Sequence, residues 1–210
     1  MNVALLGATG RTGLLVLDEL LMRGHAVRAL VRGEGRITPG AAITTVVGDS
    51  RDRDTLSELV GGVEAVISAL GPRARDESLH RDTAKALVAS MHDAGVRRFV
   101  GVSGMGIDVP GDQRSLSAKV AASLVKLVGG AVSRDKQLEY EVFSASDLDW
   151  TLARPPRLAD GEETGRLEHD AHRSTRSTKI RRADLATFLV DVAEQGLYLR
   201  QAPFVATARR

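Results

Sequence analysis

The chain contains no cysteine. That excludes disulfides, thiolate metal centres and a cysteine nucleophile together. Aromatic residues make up only 3%, which leaves few rings for stacking bases and argues against a single-stranded nucleic-acid binder. No large excess of one charge is present either. Lys plus Arg number 29 against 27 Asp plus Glu, so charge gives no reason to expect a nucleic-acid or membrane partner. No apolar run is long enough to span a bilayer. The first such run is short and ends in a glycine turn, unlike a signal peptide, so a soluble cytoplasmic protein is expected. What remains is 210 residues with 43% hydrophobic content, enough for one substantial core over 1–210 and no evident second one.

The most informative segment is Gly7-Ala8-Thr9-Gly10-Arg11-Thr12-Gly13, set between Val3-Ala4-Leu5-Leu6 and Leu14-Leu15-Val16-Leu17. A buried strand, a glycine turn and a helix in that order suit a dinucleotide pyrophosphate. Gly7 lets the chain leave the strand tightly, Gly10 clears space for phosphate, and Gly13 lets the helix approach the sheet. The helix N-terminus then offers free N–H groups and partial positive charge. Gly7, Thr9, Gly10, Arg11, Thr12 and Gly13 are therefore the expected pyrophosphate contacts.

Short β-branched runs alternate with longer amphipathic ones along the whole chain. This predicts an α/β, doubly wound, Rossmann-type parallel sheet with helices on both faces. Strands are expected near 2–6, 26–31, 43–47, 63–68, 97–102, 149–153 and 203–207. Helices are expected near 11–23, 52–60, 76–94, 115–146 (broken at Gly129-Gly130) and 182–195. Gly24, Gly61-Gly62 and Gly95 stand where helices end. The polar stretch Arg157 to Thr178 is too long for an ordinary connection. It predicts a loop-rich substrate lobe at about 154–178, beyond the carboxyl ends of the strands where such folds bind ligands.

The turn's Gly-x-x-Gly-x-x-Gly spacing departs from the standard Gly-x-Gly-x-x-Gly. It resembles the atypical short-chain dehydrogenase/reductases, within them the NmrA-like and flavin-reductase (biliverdin reductase B-like) branch. The resemblance runs nearly end to end through VRALVR at 27–32, VVGDSRD at 46–52, FVGVSG at 99–104, SASDLDWTLARPP at 144–156 and IRRADLATFL at 180–189.

The second strand ends in Val31-Arg32, with no carboxylate at its tip to accept a ribose 2′-OH. Arg32 can instead hold a 2′-phosphate by a charge-assisted contact. Arg11 could approach the same phosphate, Arg28 is a weaker third candidate, and Glu34 lies close enough to oppose them. NADPH (NADP+) is thus the expected cofactor, and the resemblance implies the same. It also implies that the Gly48-Asp49 pair meets the adenine. The alternative is that Asp49 or Ser50 caps the following helix, and both roles can hold, with Asp49 reaching the adenine and Ser50 or Asp52 capping. Ala69, Leu70 and Gly71 end the fourth strand as small groups beside the cofactor's ribose.

Catalytic signals are thinner. Ser103 follows the fifth strand, where the family places an active-site hydroxyl beside the nicotinamide; a plain turn explains it equally well. Lys136 matches the lysine of the superfamily's Tyr-x-x-x-Lys pair, but position 132 is Val, so tyrosine-driven carbonyl reduction is in doubt. Tyr140 shares a helix face with Lys136 and points either to the cleft or, more commonly for such a residue, to packing. Arg154-Pro155 resembles the family's pair at the nicotinamide end, and Arg157 could meet an anionic substrate group. His169 and His172 have a helical metal-pair spacing without a third ligand, so no metal is expected. The basic run Arg173 to Arg182 reads as a solvated face. Ser103, Lys136 and Tyr140 are the catalytic candidates, with Ser103, Lys136 and Pro155 also set against the cofactor.

Two functions follow from these residues. One is an NADPH-dependent reductase passing hydride to a flavin, quinone or other conjugated small molecule that needs little acid catalysis. The other is a non-enzymatic NADP(H) sensor of the NmrA type. A small-molecule acceptor, no nucleic acid, no membrane, and a monomer or homodimer complete the expectation.

Overall fold

The computed structural model describes residues 1–33, 35–72 and 76–209; Glu34, weighed above against Arg32, lies outside them. Six parallel strands form the central sheet: β1 (Asn2–Leu6), β2 (Ala26–Val31), β3 (Ile43–Val47), β4 (Ala65–Ser68), β5 (Arg98–Val102) and β6 (Asp149–Ala153). Their spatial order is β3-β2-β1-β4-β5-β6, the doubly wound order whose reversal between β1 and β4 opens a crevice at the carboxyl edge.

Strand periodicity explains the two cores. Along β1, Val3 and Leu5 face one side and join α1 (Arg11–Met22) and α5 (Arg182–Gln195). Ala4 and Leu6 face the other and meet residues of α2 (Arg53–Val60) and α3 (Leu79–Ala94). Because side chains alternate across a strand, an apolar run of four must be covered on both faces. The long α4 (Leu116–Ala145) adds Phe143 to the second core, stacked on Phe99 of β5. As expected, α4 is interrupted at the glycine pair, where Gly130 has φ 37° and ψ −105°.

Two expectations need correction. The segment 157–178 is not simply loop: it holds β7 (Arg157–Ala159) and β8 (Leu167–Asp170), followed by β9 (Lys179–Arg181). The strand expected at 203–207 forms as β10 (Phe204–Thr207), yet it pairs antiparallel with β8 instead of joining the parallel sheet. The residues just before it seal the free edge of β6, with Leu152 N–H donating to Gln201 O (3.1 Å) and Arg154 N–H to Pro203 O (2.8 Å). The lobe is anchored to the domain by the buried Asp184 carboxylate, which accepts from Thr164 N–H (2.7 Å) and from the Thr207 hydroxyl (2.6 Å). Among the described residues no helix is long and apolar enough to cross a membrane.

Candidate cofactor and acceptor site

Close packing shapes the glycine turn. Gly7 has φ 76°, and a Cβ on it would lie 2.7 Å from the backbone of Ala69. A Cβ on Gly13 would lie 2.0 Å from Gly7 O. The first turn of α1 therefore lies directly against the end of β1, and only hydrogen at position 13 allows it. Gly10 caps α1 without a side-chain hydrogen bond, and the first turn carries no acidic residue. The N–H groups there stay available to an anion.

Above this turn lies a cavity of about 270 Å³. Gly7, Thr9 and Gly10 line it beside Ala69, Leu70 and Gly71 at the end of β4. Its far wall is Arg32 with Gly48, Asp49 and Ser50. These ten residues, all expected from the sequence as cofactor contacts, are gathered by the fold into one cavity. Arg36 lines it as well and was missed; the density of arginine after β2 was the signal available. Among the described residues Arg32 and Arg36 have no hydrogen bond or ion pair.

Other residues have duties of their own. Arg28 donates to the carbonyls of Glu58 (2.8 Å) and Gly61 (2.6 Å), closing the end of α2 away from the cavity. Arg11 lies 3.7 Å from Asp160 of the lobe, and Asp160 also accepts from Arg182. Arg11, Thr12 and Gly13 do not line the cavity. Asp49 is engaged by Arg51 at 2.9 Å, while Asp52, not Asp49 or Ser50, caps α2. Ser50 instead shares a buried hydrogen bond with Thr83 (2.8 Å).

A second cavity, of about 590 Å³, lies at the ends of β5 and β6. Val102, Met105, Leu158 and Phe204 give it apolar walls, with Ser103 and Pro155 among its lining residues. Ser103 N–H donates to Ala153 O (2.8 Å), which fixes the residue, while its buried Oγ has no hydrogen-bond partner. A buried hydroxyl without a partner in a residue that lines a cavity asks for an explanation, and a ligand contact made after a small side-chain rotation is one. Arg154 borders this cavity but is fully buried and fully used. Its guanidinium forks onto Asp112 at 2.6 and 2.8 Å, donates to Ala202 O (2.6 Å), and lies 3.7 Å over the Phe204 ring. Burial lowers its pKa and the Asp112 carboxylate opposes that.

The catalytic candidates are not brought together. Lys136 lines neither cavity; its buried ammonium donates to Val102 O (2.8 Å) and to Glu139 (2.9 Å). Lys136 therefore steadies the strand end that carries Ser103. Tyr140 packs edge-on against Trp150 at 5.8 Å and also lies outside both cavities. Burial pushes its phenol pKa up. His169 bonds to the Tyr198 hydroxyl (2.5 Å) and tilts against Phe188.

Behind Lys136 stands His80, buried, with no hydrogen bond at either ring nitrogen and its Nδ1 3.9 Å from the Glu139 carboxylate. Burial, reinforced by the Lys136 charge, lowers its pKa to about 2. A histidine that charges in the unfolded chain near 6.5 but not in the fold costs stability as pH falls below that value. Between pH 6.5 and 5 the loss is about 2 kcal/mol. His80→Leu removes it, so the variant should gain that much on the wild type from pH 7.5 to 5 in denaturant titrations. Parallel stability curves for the two proteins would contradict this.

Comparison with known proteins agrees with this geometry. Residues 7–196 match the NAD(P)H-binding family. A solved protein of Burkholderia pseudomallei, described as exported, is 34% identical, with a TM-score of 0.79 over 98% of this chain and 99% of its own. The cytoplasmic expectation thus has a counter-indication among its relatives. ChuY, an anaerobilin reductase of Escherichia coli O157:H7, superposes with a TM-score of 0.84 at 21% identity over 100% and 98% of the two chains. SP1627 of Streptococcus pneumoniae TIGR4, assigned as an NADH-flavin reductase, does so at 0.78 and 24% over 99% and 100%. At these identities the last two speak to the fold. With a glycine turn, an arginine-walled cavity and the doubly wound sheet in place, the chain belongs to the NAD(P)H-binding family.

Proposed function

We propose that the protein is an NADPH-dependent reductase that passes hydride to a flavin, quinone or similarly conjugated small molecule. The observation that carries this reading is the pair of cavities along one sheet edge. One is polar and holds two unpaired guanidiniums. The other is walled largely by apolar side chains, with Ser103 among its lining residues.

NADPH, when bound, supplies the hydride. Arg32 and Arg36 hold its 2′-phosphate, the α1 N-terminus and Gly10 receive the pyrophosphate, and Pro155 borders the nicotinamide end. The cavity beyond β5 and β6 seats an apolar ring while leaving its edge open to water, and Ser103 stands beside the acceptor. Lys136 acts indirectly by fixing Val102. A conjugated acceptor spreads the incoming charge and takes its proton from water, so no tyrosine is needed at the cavity. Catalysis then rests mainly on holding donor and acceptor in register. The reaction is assigned to the cytoplasm, where fractionation of cells can check it.

A specific observation favours a second reading, the non-enzymatic NADP(H) sensor: Lys136 is committed to Val102 and Glu139, and Tyr140 stands outside the cavities. Steady NADPH oxidation with a panel of flavins and quinones separates the two. Tight cofactor binding without turnover on any acceptor would favour the sensor.

Cofactor preference gives a sharper test. Loss of one charge-assisted contact is worth about 1.5–3 kcal/mol. Arg32→Ala should accordingly weaken NADPH about tenfold or more in fluorescence titration and leave NADH nearly unchanged. Equal wild-type affinity for the two cofactors would remove Arg32 from this role.

A further inference from the structure

The second cavity carries a feature that its apolar walls do not explain. Arg157, at the start of β7, and Arg176, in the turn before β9, both line it. Neither guanidinium has a hydrogen bond or ion pair among the described residues. The nearest acid in sequence pairing, Glu168, is occupied by the backbone N–H groups of Arg176 (3.1 Å) and Ser177 (2.6 Å). The third arginine of the cavity, Arg154, is neutralised by its fork onto Asp112. Other arginines of the lobe are satisfied locally: Arg181 donates to Glu162 O (2.7 Å) and Arg182 to Asp160. Two unpaired cations thus line one largely apolar cavity.

We infer that the acceptor is an organic anion: a flat apolar body seated against Phe204, Leu158 and Met105, with a carboxylate or phosphate held by Arg157 and Arg176. This rests on the reductase reading and narrows it, because neutral quinones lose their place as preferred acceptors. Guanidinium is suited to both anions, since its planar fork matches either oxygen pair. The two arginines come from separate segments of the lobe, so an anion between them also ties β7 to the turn before β9. Their exposure makes the contact sensitive to salt.

Matched ligand pairs test this without requiring turnover. Flavin mononucleotide against riboflavin isolates a phosphate, and anthraquinone-2-carboxylate against anthraquinone-2-carboxamide isolates a carboxylate. With NADP+ present, the wild type should prefer the anion about tenfold in at least one pair, and the preference should shrink at high salt. A preference in one pair identifies that anion as the source; in both, it identifies organic anions generally. In the Arg157→Gln/Arg176→Gln variant the preference should fall to near one, and Arg157→Lys/Arg176→Lys should recover part of it. Both positions are exposed, and thermal melts of each variant confirm that it is folded. Equal binding within both pairs, or a preference that survives the glutamine variant, overturns the proposal. If riboflavin or menadione still oxidises NADPH in that case, the reductase reading stands; if no acceptor does, that reading fails separately.

Discussion

Gly13→Ala should abolish NADPH binding and destabilise the protein. The added methyl would lie 2.0 Å from Gly7 O, 2.7 Å from Gly7 C and 3.0 Å from Ala8 Cα. All three are backbone atoms, so no side-chain rotation relieves the clash. Either α1 retreats from β1 or the turn opens, and each moves the N–H groups that face the phosphates. Overpacking usually costs about 1–3 kcal/mol, and an unyielding backbone puts this case at the upper end. Because α1 packs against α5 in the first core, its retreat also loosens that layer. Calorimetry and cofactor titration measure the two effects. A contrast is Gly40→Ala, where no heavy atom lies within 4 Å of the new methyl and little change is expected. Normal NADPH affinity in Gly13→Ala would show that the turn does not hold the cofactor.

The second large effect is expected at Asp112. This carboxylate neutralises the fully buried Arg154 and also pairs with Arg114 at 3.0 Å. Asp112→Ala leaves two guanidiniums facing each other without it. Breaking a buried pair by deleting one partner costs about 3–5 kcal/mol. For a chain of this size that lowers the melting temperature by on the order of 10 °C. Acceptor binding should fall with stability, since Arg154 holds Ala202 O and covers Phe204, while cofactor binding across the sheet should persist in the surviving folded fraction. The double variant Asp112→Leu/Arg154→Met, which removes both charges, should be more stable than Asp112→Ala alone. A loss below about 1 kcal/mol in Asp112→Ala would mean that water reaches Arg154.

Much of the fold was legible because its signals are local. Val3 to Leu6 and Ala65 to Ile67 are apolar without alternation, as strands covered on both faces must be. Gly7, Gly13 and Gly95 mark positions where backbone geometry or contact admits little else. Arg32 could be placed because a strand end sets where its side chain emerges. The lobe was less legible. β7 and β9 are three residues each, too short to show a period, and they are stabilised by partners far away in sequence. Asp170 accepting from the N–H groups of His172 and Arg173, and Glu168 from those of Arg176 and Ser177, look from sequence like ordinary surface charge. Pairings at long range were equally hidden. Asp112 with Arg154, 42 residues apart, and Arg11 with Asp160 have no spacing rule. Lys136 could be found by its distance to β6, but its carbonyl partner, Val102, depends on how α4 crosses β5.

The sealing of β6 by residues 200–203, and the placement of Phe204 beside them, bears on how the site comes into being. Synthesis delivers the chain from its N-terminus, although a domain folds as a unit. The cofactor cavity is lined by residues up to Leu79, all available early. The acceptor cavity takes one wall from Phe204, and Arg154 is held in part by Ala202 O. The nucleotide cavity and the acceptor cavity thus differ in what closes them: the first is lined by the early strands but leans on α5 through α1, and the second waits for the last strand. Nucleotide that binds only the folded domain stabilises both together by mass action.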